Sequence, residues 1–438
     1  MKCTLFALFF LLVTASVFAS KPEQAETIAQ SKNSFVFDYN LNFRTATYLN
    51  IDYASVEKRS DDIFSQYLNL NIIGKFDDKI EMSAKLASYG FSGKYNAVFQ
   101  MPYISKDYSL FLQTAFLTFK SEKNFILPCT LFAGKQEFSY GDGFIVDGNN
   151  NGLLGLRGKV ELFKSLSLDM FVAKVDNVDF DLYGGNLKFN YSTVFELGIY
   201  QERNNSGMLY KKGLGLENEN IGHDNKMFYD LRITGGNNTY RYRAEVSQQK
   251  GELEKTIDNV ITYNAYAFIL EGSWKGELLS KDSNAKILFS YANAHKENSF
   301  SPTFAKRYDG LQRVGYGTLF AANNTDSFIV VPNGYYGINT IGALFDILLF
   351  EFLQTGLSLF MYSASDAPTD AGDAGFASIY SAKANLGEEV DWFMKYKYKH
   401  YFDIFFNFAI YMPPSTAGKV FANTEPSYLF QIGVNSKF

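Results

Sequence analysis

Apolar and polar residues alternate along most of this chain with the two-residue period of a β-strand. In the clearest segments one face carries aromatic or aliphatic side chains and the other carries polar or charged ones. These segments are 35–43, 240–247 and 389–398. Each is close to the length of about ten residues that a tilted strand needs to cross the hydrocarbon of a bilayer. The pattern therefore predicts strands of membrane-spanning length.

The apolar faces are unusual for a soluble protein. A soluble β-sandwich also alternates, but its strands are usually shorter and its core face favours aliphatic residues. Here Tyr and Phe stand toward the strand ends, as the aromatic girdles of membrane barrels require. An open sheet edge in lipid would leave backbone groups unpaired at several kcal/mol each. We predict an all-β fold, a transmembrane, antiparallel, up-and-down β-barrel.

The connections between the alternating segments come in two sizes. The short ones include 74–78, 121–124, 164–165, 235–238 and 400–401. The long ones include 91–108, 141–152, 204–226, 295–336 and 413–426. Short periplasmic turns opposite long outer loops are typical of outer-membrane barrels, whose strand number is even, and we predict about 18 strands. The region 295–350 is the hardest to assign, because its glycines and asparagines fit either a long loop or a strand pair.

The beginning of the chain has the pattern of a secretory signal. Lys2 precedes an apolar run, and Val17 and Ala19 supply small residues at a cleavage site. An uncleaved anchor is the alternative, but the apolar run is too short for it. We predict a signal peptide over 1–19, a short periplasmic segment over 20–34 and a single barrel over 35–438. The protein would reach the bacterial outer membrane after Sec-type export.

Composition narrows the class further. The chain has 43 Phe and 30 Tyr but only 2 Trp, and aromatic residues make up 17% of it. Beyond the signal, no apolar run is long enough for a membrane helix. The 41 Lys and Arg residues against 46 Asp and Glu argue against a nucleic-acid partner. After signal cleavage only Cys129 remains, so no internal disulfide can form.

The last residues form an amphipathic pattern that stops at an aromatic residue. One face of this segment carries Tyr428, Phe430, Ile432, Val434, Ser436 and Phe438. A closing strand that ends in a free aromatic residue is what the barrel-assembly machinery of outer membranes recognises. A chance Phe at the end of an ordinary strand is the alternative. We predict that this machinery is a partner of the chain through Phe438.

Three stretches carry a family resemblance. The first is Gly-Lys-Gln-Glu-Phe-Ser-Tyr-Gly-Asp-Gly over 134–143, followed by Gly155-Leu156-Arg157. The second begins at Gly387-Glu388-Glu389-Val390-Asp391 and runs to Tyr411-Met412-Pro413-Pro414, and the third is the closing strand. Together they resemble the alginate-export family of outer-membrane barrels, which implies a substrate-translocating barrel. Phe144 departs from that family, since a basic residue typically stands there.

Charged residues on the strands are candidates for the pore lining. A charge on the lipid face costs roughly 2–4 kcal/mol near the midplane, so we expect such side chains to face the lumen. We also expect Phe132 and Phe138 to point away from Lys135 and Glu137. Tyr140 and Asp142 would belong to an inward constriction loop or to a simple glycine turn. The pore-lining candidates are Lys135, Glu137, Tyr140, Asp142, Arg157, Arg241, Arg243, Glu389, Asp391 and Lys395.

The function that fits these features is an outer-membrane channel for polar solutes, with oligo- or polysaccharide export as one form of it. A loop-plugged binding or structural barrel without transport is the alternative. An enzyme is disfavoured, because the chain has no G-x-S-x-G motif and its three histidines fall in loops or at a turn. We predict no cofactor and no metal site. The expected partners are outer-membrane lipid and a polar solute or saccharide.

Overall fold

The computed structural model describes residues 34–438 with gaps. The gaps are 52–59, 77, 94–109, 122–126, 141–142, 148–151, 176–178, 212–214, 218–220, 257–258, 296–297, 304–316, 320–335, 367–383, 399–401, 415–422 and 438. The predicted signal peptide and residues 20–33 of the predicted periplasmic segment lie outside the described residues, as do Asp142 and Phe438, while Ser34 belongs to the first strand.

Eighteen strands form one sheet in which each strand pairs antiparallel with the next along the chain. The first nine are β1 Ser34–Leu49, β2 Ser60–Lys75, β3 Ile80–Gly93, β4 Leu110–Lys120, β5 Cys129–Gln136, β6 Leu153–Phe163, β7 Leu166–Lys174, β8 Phe180–Asn190 and β9 Thr193–Asn204. The second nine are β10 His223–Gly236, β11 Tyr240–Thr256, β12 Asn259–Leu278, β13 Lys281–Ala292, β14 Tyr336–Phe350, β15 Leu353–Asp366, β16 Ala384–Tyr398, β17 Phe402–Met412 and β18 Ser427–Lys437.

The sheet closes on itself. Strand β1 pairs with β2 on one side and with β18 on the other, where Asn42 stands opposite Asn435. A closed ladder leaves no strand edge unpaired, as a bilayer requires. The predicted all-β barrel of about 18 strands is therefore confirmed.

Alternation along the strands separates an outer face from the lumen. On β9, Leu197 and Ile199 are exposed while Glu196 and Tyr200 are buried. On β16, Trp392 and Met394 are exposed while Asp391 is buried. The buried side chains carry the charge and the exposed ones are apolar, which is the reverse of a soluble protein. Such an outer surface is suited to hydrocarbon and the inner one to water.

The two ends of the barrel differ. At one end the strands join through short turns such as 164–165, 191–192 and 237–239, and we call this the turn end. Gly236 opens the last of these turns with φ +120°, a backbone conformation in which a Cβ would clash with the Tyr240 carbonyl. At the opposite end, the loop end, the connections are mostly longer, as predicted.

Aromatic residues gather near the turn end of the outer face. Exposed rings there include Phe35, Phe37, Tyr240, Tyr242, Phe350, Phe352, Tyr396 and Tyr398. Phe350 stacks on Phe352, and Phe352 meets Tyr396 edge-on. This arrangement matches an interfacial girdle. Among the described residues, no helix is long and apolar enough to cross a membrane.

The region that was hardest to assign divides into a connection and a hairpin. Residues 293–335 join β13 to β14, and β14 then pairs with β15 over Tyr336 to Asp366. Within this connection the structure describes 293–295, 298–303 and 317–319. The last two pieces fold inward, where Thr303 contacts Glu202 and Thr318 contacts Asp391.

Candidate functional site

The lumen is bounded by two walls of different chemistry. We call the lumen face of β6 to β13 the charged wall, because lysine, arginine and carboxylate side chains follow one another along it. We call the lumen face of β1, β2 and β16 to β18 the amide wall, after the asparagine and glutamine side chains of β1, β2, β17 and β18; β16 contributes Glu389, Asp391 and Lys395. Both arise from the same strand alternation, which sends every second side chain inward.

A continuous chain of ion pairs runs along the charged wall. In order around the barrel its members are Lys188, Glu196, Arg232, Glu245, Arg243, Glu271 and Lys286. Lys188 Nζ lies 3.0 Å from Glu196, and Lys286 Nζ lies 2.6 Å from Glu271 at the other end. Positive and negative groups alternate, so each carboxylate is shared between two cations. We call this series the ion-pair chain.

A second charged cluster precedes the ion-pair chain. The Arg157 Nε and Nη2 atoms donate to Asp169 at 2.9 and 2.6 Å, which is a two-point contact with one carboxylate. The Tyr140 hydroxyl donates to the same Asp169 at 3.0 Å. The Arg157 guanidinium also lies over the Tyr140 ring, 5.3 Å from its centre. Asp169 therefore joins a wall arginine to the segment that carries Tyr140.

That segment is a small hairpin that folds into the barrel. Ser139–Tyr140 pairs with Val146–Asp147. Gly143 lies between them with φ +81°, and a Cβ there would press against Asp147. We call 138–147 the inward hairpin. Gly143 has the backbone conformation of a glycine turn and Tyr140 lies inside the barrel, while Asp142 of the predicted constriction loop lies outside the described residues.

The inward hairpin rests on an apolar core inside the lumen. Tyr140 stacks on Phe171 with ring centres 4.8 Å apart, and Phe138 lies 4.9 Å from the same ring. Tyr200 and Phe228 continue this core along β9 and β10. Aromatic contacts of this kind contribute about 0.5–1.5 kcal/mol beyond the area that they bury. The core fixes the hairpin against the charged wall.

The connection 293–335 is anchored to the same wall. The Thr303 backbone amide donates to Glu202 at 2.9 Å, and its hydroxyl donates to Glu202 at 2.6 Å. Lys226 Nζ donates to the Thr303 hydroxyl at 3.1 Å and lies 3.3 Å from Asp224. All four side chains are buried. Each charge therefore has an opposite charge or a hydrogen bond, as burial requires.

A second anchor holds this connection on the other side of the barrel. Thr318 and Leu319 donate their backbone amides to Glu389, both at 2.6 Å. The Thr318 hydroxyl donates to Asp391 at 2.7 Å. Glu389 and Asp391 belong to β16, while Glu202 belongs to β9, seven strands away in a sheet of 18. The connection therefore reaches both walls of the lumen.

The amide wall combines amide side chains with charged ones. Asn407 on β17 donates to Gln431 on β18 at 2.6 Å, while Asn42 and Asn435 stand opposite each other on β1 and β18. A cavity of about 370 Å³ opens in front of these residues. Lys395 and Asp403 pair at its edge with 2.6 Å between Nζ and Oδ2.

Most of the sequence-predicted site residues face the lumen. Arg157 and Arg243 lie on the charged wall, whereas Glu389, Asp391 and Lys395 lie on β16 toward the amide wall. Glu137 lies 3.4 Å from Lys85 and accepts a hydrogen bond from Gln113 at 3.3 Å. Arg241 is exposed at the turn end. Asp142 lies outside the described residues.

The orientation predicted for β5 was wrong. Phe132 pairs with Arg157 and lies under its guanidinium, 5.7 Å from the ring centre, so Phe132 faces the lumen. Three residues further on, Lys135 falls on the opposite face of the strand and donates to the Leu112 carbonyl at 2.9 Å. Phe138 is likewise buried inside. The prediction assumed that aromatic residues seek lipid, but a cation can hold an aromatic ring on the wet side.

Several lumen charges were not among the candidates. They are Arg44, Asp169, Lys188, Glu196, Glu202, Lys226, Arg232, Glu245, Glu271 and Lys286. Each occupies a strand position that alternates with apolar residues, so strand parity was the signal that could have found them. The anchors at Thr303 and Thr318 carry no comparable signal, because they depend on contacts across the barrel.

These features define a transmembrane β-barrel with a polar, partly covered lumen. The outer membrane protein OprD from Pseudomonas aeruginosa has a similar structure, with TM-score 0.55 and 9% identity over 94% of this chain and 95% of OprD. OccAB4 from Acinetobacter baumannii gives TM-score 0.55 and 12% identity, over 93% of this chain and all of OccAB4 (100%). OccK3 (OpdO) from Pseudomonas aeruginosa gives 0.52 and 11%, over 92% and 95%.

At such low identities the likeness shows a shared fold. The chain has the fold of the OprD and Occ outer-membrane β-barrel porins. No protein-family model matches the sequence. No curated protein matches it either. The resemblance to the alginate-export family therefore has no support from these comparisons.

Proposed function

We propose that the protein is a channel of the bacterial outer membrane that passes small polar solutes. The observation that carries this proposal is the closed ladder of 18 strands with an apolar outer face and a charged, amide-lined interior. Such a wall by itself separates the lipid from the aqueous lumen. The fold shared with outer membrane protein OprD supports the same location.

Solutes cross by diffusion along the lumen past weak contacts. The inward hairpin and the described pieces of the connection around Thr303 and Thr318 occupy part of the cross-section and narrow the path. Because the ion-pair chain sets four cations against three carboxylates, its net charge is only one positive, and it exerts a weak field on a passing ion. We therefore expect a weak preference between small anions and cations, with selection resting mainly on size and hydrogen bonding.

Conductance in planar bilayers tests the channel. Purified full-length protein is added to one chamber, and current steps of uniform size are expected in KCl. Protein that has been boiled serves as the control. Insertion is checked separately by the shift in gel mobility that folded barrels show on heating. Inserted, heat-modifiable protein that gives no current step at any salt concentration or voltage contradicts the proposal.

Saccharide export is the finer form of this function. The three stretches that resemble the alginate-export family support it. Alginate itself is a polyanion, and the compensated charges of the ion-pair chain do not favour one. A neutral oligosaccharide suits this lumen better. Passage of a solute through the barrel requires no chemical step.

A loop-plugged binding barrel is the second candidate. The observation that favours it is the double anchoring of the connection 293–335, at Glu202 and at Glu389 with Asp391. The variant E202A/E389A/D391A removes the carboxylates of both anchors. If the barrel is plugged, only this variant conducts. If it is a channel, the wild type already conducts and the variant conducts somewhat more.

The closing strand provides a further proposal about assembly. β18 presents Phe430, Ile432 and Val434 on its outer face, and Phe438 continues that register in the sequence. We propose that the barrel-assembly machinery recognises this strand. Deletion of Phe438 should lower the amount of heat-modifiable protein in the outer membrane, while the total amount exported stays the same.

A further inference from the structure

The cavity on the amide wall has the composition of a binding site rather than of a plain water channel. It holds about 370 Å³ and is lined by β1 and by β15 to β18, with Thr318 of the anchored connection beside it. The polar side chains around it include Asn42, Asn407, Gln431 and Asn435. Amides both donate and accept hydrogen bonds, so they suit a partner that does the same.

The charges around this cavity cancel. Arg44 and Lys395 supply two positive groups, and Asp391 and Asp403 supply two negative ones. Lys395 pairs with Asp403, and Asp391 accepts a hydrogen bond from Thr318. A charged solute therefore gains no net attraction, while it would lose part of its hydration. The cavity favours a solute without net charge.

Two aromatic rings face inward here, although most apolar side chains of β16 and β17 face outward. Phe393 stands opposite Gly356, and Phe405 stands opposite Gly433. A Cβ on Gly433 would come within 2.8 Å of Phe405 Cε1, and one on Gly356 within 2.7 Å of Phe393 Cζ. Each ring thus lies across a glycine of the neighbouring strand, and both rings line the cavity.

Rings placed over glycine also stabilise a sheet without any ligand. That role explains why each ring lies over a glycine, but not why four amide side chains line the same cavity as the rings. Solutes that need both a flat apolar contact and many hydrogen bonds are polyhydroxylated rings. We infer that the amide wall holds a binding site for an uncharged saccharide unit, with Phe405 and Phe393 as stacking platforms and the amides as hydrogen-bonding partners. This inference rests on the proposed channel function and names its solute class.

Blocking of single-channel current by a sugar tests the site in the full-length protein. Maltose is the probe, and gluconate and L-arginine are the anionic and cationic comparison solutes. The wild type should show current interruptions with maltose at lower concentrations than with either charged solute. F405L keeps an apolar side chain over Gly433 but removes the flat ring, and should weaken maltose block roughly fivefold. F405Y retains the ring and should keep the block.

A matched control comes from the opposite wall. Phe132 is also a lumen-facing ring, but it lies against Arg157 and outside the cavity. F132L should leave maltose block unchanged. Gel mobility before and after heating shows whether each variant is folded, and its open-channel conductance shows whether it still forms a pore.

The outcomes separate the two proposals. A barrel that conducts but is blocked no better by maltose than by gluconate or L-arginine overturns the saccharide site and leaves the channel standing. Equal maltose block in F405L and the wild type also overturns it, because the ring then serves the sheet alone. Folded protein that never conducts overturns the channel function itself.

Discussion

The charged wall and the amide wall are built from the same alternating strands but solve different problems. The charged wall is covered in part by the inward hairpin and by Thr303, so most of its carboxylates and arginines are shielded from water, while Lys188 and Lys286 at the ends of the ion-pair chain stay exposed. Buried charges are tolerated only when paired, and there they form the ion-pair chain. The amide wall borders an open cavity, where four amide side chains stand beside two cations and two carboxylates. The difference shows that what lies over a barrel wall determines which polar residues the wall carries.

The largest expected effect concerns the covering of the charged wall. Phe171 is fully buried between Phe138 and Tyr140. F171A should lower the free energy of unfolding by about 3–5 kcal/mol, because it leaves a cavity in the apolar core. Urea unfolding in detergent micelles measures this. I199A on the exposed outer face of β9 is the control and should lose much less; equal losses would mean that the internal core does not stabilise the barrel.

The second effect concerns charge balance. Glu245 is buried and lies 3.9 Å from Arg232 and 3.6 Å from Arg243. E245A leaves four cations against two carboxylates in the ion-pair chain, so the channel should prefer anions more strongly than the wild type does. Loss of a buried partner should also cost roughly 3 kcal/mol of stability.

The reversal potential in a KCl gradient measures the shift for E245A, and urea unfolding measures the stability. N407A on the amide wall removes no charge and serves as the control, with an unchanged reversal potential. An E245A barrel with wild-type selectivity would show that the ion-pair chain does not govern the field in the lumen.

The third effect is smaller and concerns a negative charge that is added to the amide wall, whereas E245A removes one from the charged wall. N407D adds a negative charge beside the cavity, so the reversal potential should move toward cation preference. Because this wall borders an open cavity, salt should screen the added charge, as the Debye length falls from about 10 Å at 0.1 M to about 3 Å at 1 M. The shift should fade between these concentrations in N407D. A shift that persists at high salt would mean that the site is shielded from bulk water.

The sequence predicted the barrel more fully than its interior. The alternation on β1, β11 and β16 sets the strand faces locally, so the fold and the outer surface could be anticipated. The lumen positions of Arg243, Asp391 and Lys395 followed from the cost of charge in lipid. By contrast, the contacts of Thr303 with Glu202 and of Thr318 with Glu389 join distant parts of the chain. These contacts are ordinary hydrogen bonds, which leave no pattern in the sequence, and their partners come together only in the closed sheet.

The smallest effect separates two lysines that the sequence treated alike. Lys395 pairs with Asp403 at 2.6 Å inside the lumen, whereas Lys135 lies on the other face of β5 and donates to the Leu112 carbonyl. K395A leaves Asp403 without its cation, so the reversal potential should move toward cation preference. K135A should leave it unchanged, because a charge outside the wall adds little to the field along the lumen. Reversal potentials of both variants in the same KCl gradient decide the matter, and an equal shift in the two would return Lys135 to the pore lining.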